Sequence, residues 1–358
     1  MANKRIKIFF ILPHLKSGGA ERVVSFIFSK LDKNKFDPFL IVIGFEKDNV
    51  YKIKGTNIIY LNKKRLRDAI LNIAFIIISK KPDIVFSSIG HINLYLGLLK
   101  NIFPKIRFIA REASIYSIMK TFSKHSSPPH FILNFLYGSL DLIIFQSLEM
   151  KIDFIKTFRI KPNNTCIINN PITFHNRLDL YNLKNPLLPY KLITVGSLVE
   201  NKGHSRILNI LKSVDFNFKL NIVGEGPLRS DLELKVKQLN LSNAIFFQGL
   251  QKDLSKFYKN SDFLIQGSFV EGFPNVVLEA LSFGIPCLIF EAPGGHNELI
   301  IEGFNGFIIR ESDNYIDTLN KFVGFKWDRK SIQDDAYKRF NSKKIVNIYE
   351  TLFIKIAN

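Results

Sequence analysis

The sequence predicts an α/β protein of two domains, each a parallel sheet wrapped by helices. Short apolar runs without clean alternation recur along the whole chain, and segments of helical spacing separate them. A proline-bearing stretch with little periodicity then divides this pattern into two halves.

In the first half the runs are Ile6–Leu12, Phe39–Gly44, Ile58–Leu61, Ile84–Ser87, Arg107–Ala110, Leu142–Gln146 and Cys166–Asn169. In the second they are Leu192–Gly196, Lys219–Val223, Ile245–Gln248, Phe263–Gln266, Pro286–Phe290 and Gly306–Ile309. Such runs suit strands buried on both faces, the signature of parallel sheets. Helical spacing appears over Glu21–Leu31, Arg65–Ser79, Leu228–Leu239 and Asn275–Phe283. The expected division is a first Rossmann-like domain over residues 1–172, a linker over 173–189 containing Pro186 and Pro189, and a second such domain over 190–325. A helical segment over 326–358, strongest from Ser331 to Ile356, is expected to return toward the first domain. Ser114 to Pro129, with Ser126-Ser127-Pro128-Pro129, reads as a mobile loop.

Composition narrows the class. The chain has 358 residues, 46% hydrophobic and 23% charged, as a globular protein does. Its two cysteines, Cys166 and Cys287, match no zinc spacing and form no disulfide framework, which fits a reducing cytoplasm. No apolar segment reaches the roughly 18–20 residues that cross a bilayer. The apolar start is interrupted by Pro13, His14 and Lys16, so it reads as a first buried strand and not as a signal peptide. Charge is uneven: residues 1–180 hold 28 Lys/Arg against 12 Asp/Glu, whereas 181–358 hold 22 against 19. A basic first half suits an anionic lipid surface or a pyrophosphate-bearing acceptor, and equally a solvated lysine-rich surface. Lys63-Lys64-Arg65-Leu66-Arg67, leading into the apolar Ile70–Ile78 stretch, is the candidate docking edge. Nothing resembles a nucleic-acid-reading motif despite the net charge of +19, so no nucleic-acid partner is expected.

Four turns between a strand and a helix carry potential chemistry. Gly18 and Gly19 follow the first strand and strip two side chains from a helix N-terminus, where a ligand can approach backbone. At the first strand of the second half, Gly196-Ser197 is followed by Lys202-Gly203, a compact cation suited to phosphate oxygens. Gly224-Glu225-Gly226-Pro227 opens another helix and is a common turn taken alone. The most specific element is Glu271-Gly272-Phe273-Pro274-Asn275-Val276-Val277-Leu278-Glu279. Asn275, Val276 and Val277 fall in a first helical turn whose N–H groups can hold a diphosphate. Glu279 lies further inside, among apolar neighbours, able to accept two hydroxyl hydrogen bonds.

Together with Gly18-Gly19-Ala20-Glu21-Arg22 and Ile168-Asn169-Asn170-Pro171, these motifs resemble family 4 of the nucleotide-sugar glycosyltransferases over nearly the whole chain. The resemblance implies the GT-B fold, two Rossmann-like domains facing each other across a cleft. It also implies transfer of a hexose or N-acetylhexosamine from a nucleotide sugar, most often UDP-linked, with retention of anomeric configuration. The acceptor would be a glycan, plausibly lipid-linked, in surface polysaccharide or glycoconjugate synthesis on the inner face of the membrane. Glu279 would bind ribose, Glu271 the sugar near its anomeric carbon, and Lys202, Val276 and Val277 the leaving diphosphate. Gly249 and Leu250 would meet the base, and Gly18 and Gly19 the phosphates and sugar. No cofactor and no essential metal are implied.

Two departures stand out. Ser197 occupies a position where the family commonly has arginine, for which Arg111 or Arg206 are the candidate substitutes. Arg111 and Glu112 stand where many members place a histidine, and His91 resembles one that some relatives carry earlier. A related sugar-nucleotide epimerase and a non-catalytic donor-binding subunit are the alternatives.

Overall fold

A computed structural model of the chain describes residues 4–16, 18–50, 53, 57–122, 128–158, 160–174, 177 and 186–358. Within the expected mobile loop Ser114–Pro129, Tyr116–Phe122 is a helix and residues 123–127 lie outside the described residues, as does most of 175–185 in the expected linker. The chain divides into two units, residues 1–173 with 342–358, and residues 174–341.

The first unit holds seven strands: β1 (Ile6–Leu12), β2 (Phe36–Val42), β3 (Ile58–Tyr60), β4 (Ile84–Ser87), β5 (Arg107–Arg111), β6 (Leu142–Phe145) and β7 (Thr165–Ile167). They pair in parallel in the order β3-β2-β1-β4-β5-β6-β7. Burial on both faces explains the unbroken apolar runs: from Ile8 to Leu12 every residue is fully covered. β2 starts at Phe36, earlier than the expected Phe39, and so includes Pro38. Proline cannot donate to a ladder, but β3 pairs with β2 only from Leu40, leaving one edge open at Pro38. The expected helix over Arg65–Ser79 is a 3₁₀ turn, Leu66–Asp68, and then a helix, Ile70–Lys80. Lys81, in the left-handed region at φ 46°, ends it just before Pro82.

The second unit holds β8 (Tyr190–Val195), β9 (Phe218–Val223), β10 (Ile245–Gly249), β11 (Phe263–Gln266), β12 (Cys287–Phe290) and β13 (Gly306–Ile309). These are also parallel, in the order β10-β9-β8-β11-β12-β13. In both sheets the winding reverses next to the first strand, between β1 and β4 and between β8 and β11. Loops leaving the carboxyl ends of those strands diverge there, which opens the crevice where doubly wound sheets bind ligands.

The C-terminal segment expected over 326–358 divides between the units. The helix Arg329–Phe340 stays with the second: Arg329 Nε donates to the Gly284 carbonyl at 2.9 Å and Gln333 Nε2 to that of Ser282 at 3.1 Å. Phe340 meets Phe273 edge-on at 5.7 Å. The helix Ser342–Ala357 belongs to the first unit. Its Ile345, Val346, Tyr349 and Phe353 share a core with β1, β4 and the helix Gly19–Lys30. The Phe353 ring lies 6.2 Å from Phe10 and 5.9 Å from Phe86, and Glu350 Oε1 accepts the Asp32 N–H at 2.8 Å. The chain end therefore completes a core begun by its first strand. Phe353→Ala should destabilise the first unit by about 3–5 kcal/mol, the usual result of emptying a buried aromatic site. Urea unfolding would show this, and an unchanged midpoint would contradict the packing role.

Candidate functional site

At the switch point of the second sheet, the loops after β8 and β11 are held against each other by backbone contact. Gly203 sits at φ 62°, and a Cβ there would lie 1.8 Å from the Gly267 carbonyl oxygen. The Phe269 N–H donates to the Asn201 carbonyl at 2.9 Å. Arg206 donates through Nε to the Gly267 carbonyl at 2.5 Å and through Nη2 to that of Ser268. Its guanidinium also lies over the Phe269 and Phe290 rings, each at 4.2 Å. Burial lowers its pKa to about 10. Arg206 is thus a clamp between loops.

This clamp sets Lys202 beside Glu271. Lys202 Nζ lies 2.5 Å from Glu271 Oε1, and the same oxygen accepts from Ser268 Oγ at 2.7 Å and Gln266 Nε2 at 2.9 Å. Burial would raise the Glu271 pKa, but the Lys202 charge, its hydrogen bond and that of Ser268 hold it below the usual carboxylate value. Glu271 is therefore an anion at neutral pH. The loop after β12 closes over it: Glu271 N–H donates to the Pro293 carbonyl at 3.1 Å, and Gly295 N–H to that of Gly272 at 3.0 Å. Gly294, at φ 129°, leaves no room for a side chain against the Glu271 carbonyl.

Phe273 and Pro274 lead into the helix Asn275–Ser282. The Val277 N–H donates to the Pro274 carbonyl at 3.0 Å within the first turn. Asn275 and Val276 are the first two residues of that helix. Glu279 is buried, with Oε2 accepting from the Tyr258 hydroxyl at 2.8 Å. Tyr258 is itself stacked on Phe283 at 5.3 Å.

The remaining turns of this sheet interlock through glycine. A Cβ on Gly224, at φ 147°, would lie 1.9 Å from the Gly196 carbonyl oxygen, and one on Gly226 2.5 Å from that of Leu198. Gly224 N–H donates to Gly249, itself at φ 66°, at 2.9 Å, and the exposed Leu250 follows. Ser197 is exposed, and its carbonyl accepts from His204 Nε2 at 3.2 Å. Burial lowers the His204 pKa to about 4, keeping that ring neutral.

In the first unit the switch point carries Gly18, the N-cap of the helix Gly19–Lys30, and His91, the second residue of the helix Gly90–Ile102. A Cβ on Gly18 would meet the Glu21 carboxylate. Partial burial and the neighbouring His14 lower the His91 pKa. Arg111 and Glu112, expected as accessory residues, lie in an internal polar network. Arg111, 0% exposed, donates to Ser88 Oγ at 2.7 Å and to Asn170 Oδ1. Asn170 also donates to Gln146 Oε1 at 2.9 Å, which gives the Asn169-Asn170 motif a structural purpose. Glu112 Oε1 accepts from Asn93 Nδ2 at 2.7 Å.

The sequence reading missed Gln266, Ser268, Tyr258, His204 and His296, which become site residues only when separate loops meet. His296 is buried, with Nδ1 on the Ala292 carbonyl at 3.1 Å and, among the described residues, no partner on Nε2. Burial lowers its pKa against the opposing pull of Glu271. Among the described residues no group of three His, Cys, Asp or Glu could hold a metal ion. No helix there is long and apolar enough to cross a membrane.

Two Rossmann-like units, each with its turns gathered at a switch point, define the GT-B class. The chain is a glycosyltransferase, and residues 182–339 match the family model described as glycosyl transferases group 1. It is 28% identical over 353 residues to the N-acetylgalactosamine-N,N'-diacetylbacillosaminyl-diphospho-undecaprenol 4-alpha-N-acetylgalactosaminyltransferase of Campylobacter jejuni, covering 94% of this chain and 93% of that one. The amylovoran biosynthesis glycosyltransferase AmsD of Erwinia amylovora is 26% identical over 90% of this chain and 91% of its own. Among solved structures, Anabaena HepE in complex with UDP and glucose matches with a TM-score of 0.77 at 17% identity, over 97% of this chain and 99% of its own.

Burial raises the Glu112 pKa to about 7 against the opposing pull of Asn93, Tyr137 and Arg111. The unfolded chain ionises first, so this group's contribution to stability is full below about pH 4.5 and is lost as pH rises toward 7. The loss is on the order of 3 kcal/mol. In Glu112→Gln the fall in melting temperature between pH 5 and 8 should be shallower than in the parent; identical slopes would refute the assignment.

Proposed function

We propose that the chain transfers a hexose or N-acetylhexosamine from a UDP-sugar to a lipid-linked glycan acceptor, retaining the anomeric configuration. The observation that carries this reading is the Lys202–Glu271 pair at the β8/β11 switch point, beside the helix that bears Glu279. Lys202 has three N–H donors, so it can keep Glu271 and still meet a phosphate oxygen. The Asn275–Ser282 helix N-terminus adds its dipole where charge grows on the departing diphosphate. Glu271, held anionic, suits a sugar hydroxyl and the positive charge developing at the anomeric carbon. Glu279 suits the ribose, with Tyr258 orienting its carboxylate. Gly18, Gly19 and His91 form the corresponding turn region of the first unit. The chemistry calls on neither a cofactor nor a metal ion, because Lys202 and the helix dipole supply the positive field.

The relatives support the donor and acceptor classes. The Campylobacter enzyme is named for an undecaprenol-linked substrate and an α-N-acetylgalactosaminyl product, and HepE is seen with UDP and glucose. Retention follows if an α-linked UDP-sugar yields an α-linked product. The excess of Lys and Arg in residues 1–180 supports a peripheral position of the first unit on the anionic inner leaflet.

A thermal-shift screen of UDP-, GDP- and ADP-sugars without metal should single out one UDP-sugar. A ligand at 100 times its Kd stabilises by about 2.7 kcal/mol. Lys202→Ala and Glu279→Ala should each abolish the shift; a shift that survives both would place the donor elsewhere. NMR of the product should show an α-anomeric proton, and a β-anomer would exclude retention. Nucleotide binding with no sugar release onto any lipid-linked acceptor would favour a donor-binding subunit, the alternative that Ser197 raises.

A further inference from the structure

Three helices of the first unit, Ile70–Lys80, Gly90–Ile102 and His130–Ser139, present apolar side chains outward. Leu71 is 82% exposed, Phe75 70%, Phe131 73% and Phe135 60%, with Leu98 and Ile102 also in the open. Each set follows one helical stripe: Leu71 and Phe75, Leu98 and Ile102, Phe131 and Phe135 are all spaced i, i+4. The opposite stripes are ordinary core, through Ile73 and Ile77, Leu96 and Leu99, and Leu133 and Tyr137. These helices are therefore apolar nearly all round, which is unusual for helices on the outside of a globular unit.

The stripes lie side by side. The connections carrying the three helices all run the same way across the sheet, from β3 to β4 to β5 to β6, and right-handed crossovers then share one face. Gly97 packs directly against the Leu136 carbonyl, where a Cβ would come within 2.2 Å. Asn101 Nδ2 donates to Ser139 Oγ at 3.1 Å, and the Tyr95 hydroxyl to the Ile70 carbonyl at 2.8 Å. Basic side chains outnumber acidic ones around this face: Asp68 before the first helix pairs with Arg67 at 3.5 Å, and Asp141 after the third pairs with Lys100 at 2.9 Å. None of the three helices contains Asp or Glu. Lys64, Arg65 and Arg67 stand exposed before the first, Lys80 and Lys81 at its end, and Lys105 beyond the second.

We propose that this three-helix face inserts into an anionic lipid bilayer, its aromatic and aliphatic side chains entering the interface while the basic rim holds the headgroups. An apolar patch rimmed by cations, with no acid inside it, fits a lipid surface better than a protein partner, which would supply carboxylates for those lysines. The inference rests on the reading of the first unit as membrane-bound and changes its physics. Attachment by charge alone is released by salt, whereas an inserted apolar face keeps a salt-resistant share.

The test is flotation of the full chain with vesicles of phosphatidylcholine, with and without phosphatidylglycerol, at low and high salt. The parent should float with phosphatidylglycerol vesicles and remain partly bound at high salt. Leu71→Gln combined with Phe75→Gln and Phe135→Gln should weaken binding by about tenfold or more and remove the salt-resistant share. Lys64→Gln with Arg65→Gln and Arg67→Gln should remove mainly the salt-sensitive share. Equal flotation of the apolar variant and the parent, or complete release of the parent by salt, would overturn the proposal. So would a concentration-dependent dimer that the apolar variant abolishes, without vesicle binding by the parent. Transfer to a water-soluble acceptor should be unchanged in both variants. Its absence in the parent would count against the reaction proposed above and leave flotation to decide the membrane face.

Discussion

The contact on which the candidate donor site depends is the approach of two backbones at the β8/β11 switch point. Gly203 and Gly267 meet so closely that neither tolerates a side chain toward the other. Arg206 fastens the junction from one side with two carbonyls and two aromatic rings. Without that approach Lys202 and Glu271, 69 residues apart in sequence, would not share an ion pair. The glycines matter through the neighbour they admit, and the cation that fastens them, Arg206, is distinct from Lys202, which pairs with Glu271.

The same economy of polar groups runs through the first unit. Ser88, Arg111, Glu112, Gln146 and Asn170, at or after strand ends, and Asn93 on the helix Gly90–Ile102 hydrogen-bond one another inside the protein. A buried guanidinium without such partners would be strongly unfavourable. The network braces the ends of β4, β5 and β6 near the turns that carry Gly18 and His91. The final helix covers one face of this sheet, with Tyr349 beside Arg111, so residues from both chain termini form one core.

Much of this was legible in advance, for a physical reason. Strands buried on both faces are apolar at most positions, so the strands among the described residues showed as runs, with ends displaced by a few residues. Pro38 hid the start of β2 because an open edge cannot be seen from one strand alone. The turns were legible because glycine, lysine and glutamate at strand ends have few other uses in that pattern. The surroundings of Arg206, Arg111 and Glu112 were not legible, since the pattern shows a charge but not what packs around it. His296 and Tyr258 carried no signal, because a buried ring looks like core until its polar atom is placed, as the Tyr258 hydroxyl is on Glu279.

By itself, then, the sequence determined two parallel sheets, their order of strands and helices along the chain, and the residue types at the turns. These depend on local periodicity and on the special backbone of glycine, both written in neighbouring residues. Tertiary structure alone decided which charges are partnered inside the protein and which turns meet. It also decided that the helix Ser342–Ala357 belongs with β1 and that three apolar stripes lie on one outer face. Those outcomes depend on distances between residues far apart in the chain, which no local pattern encodes.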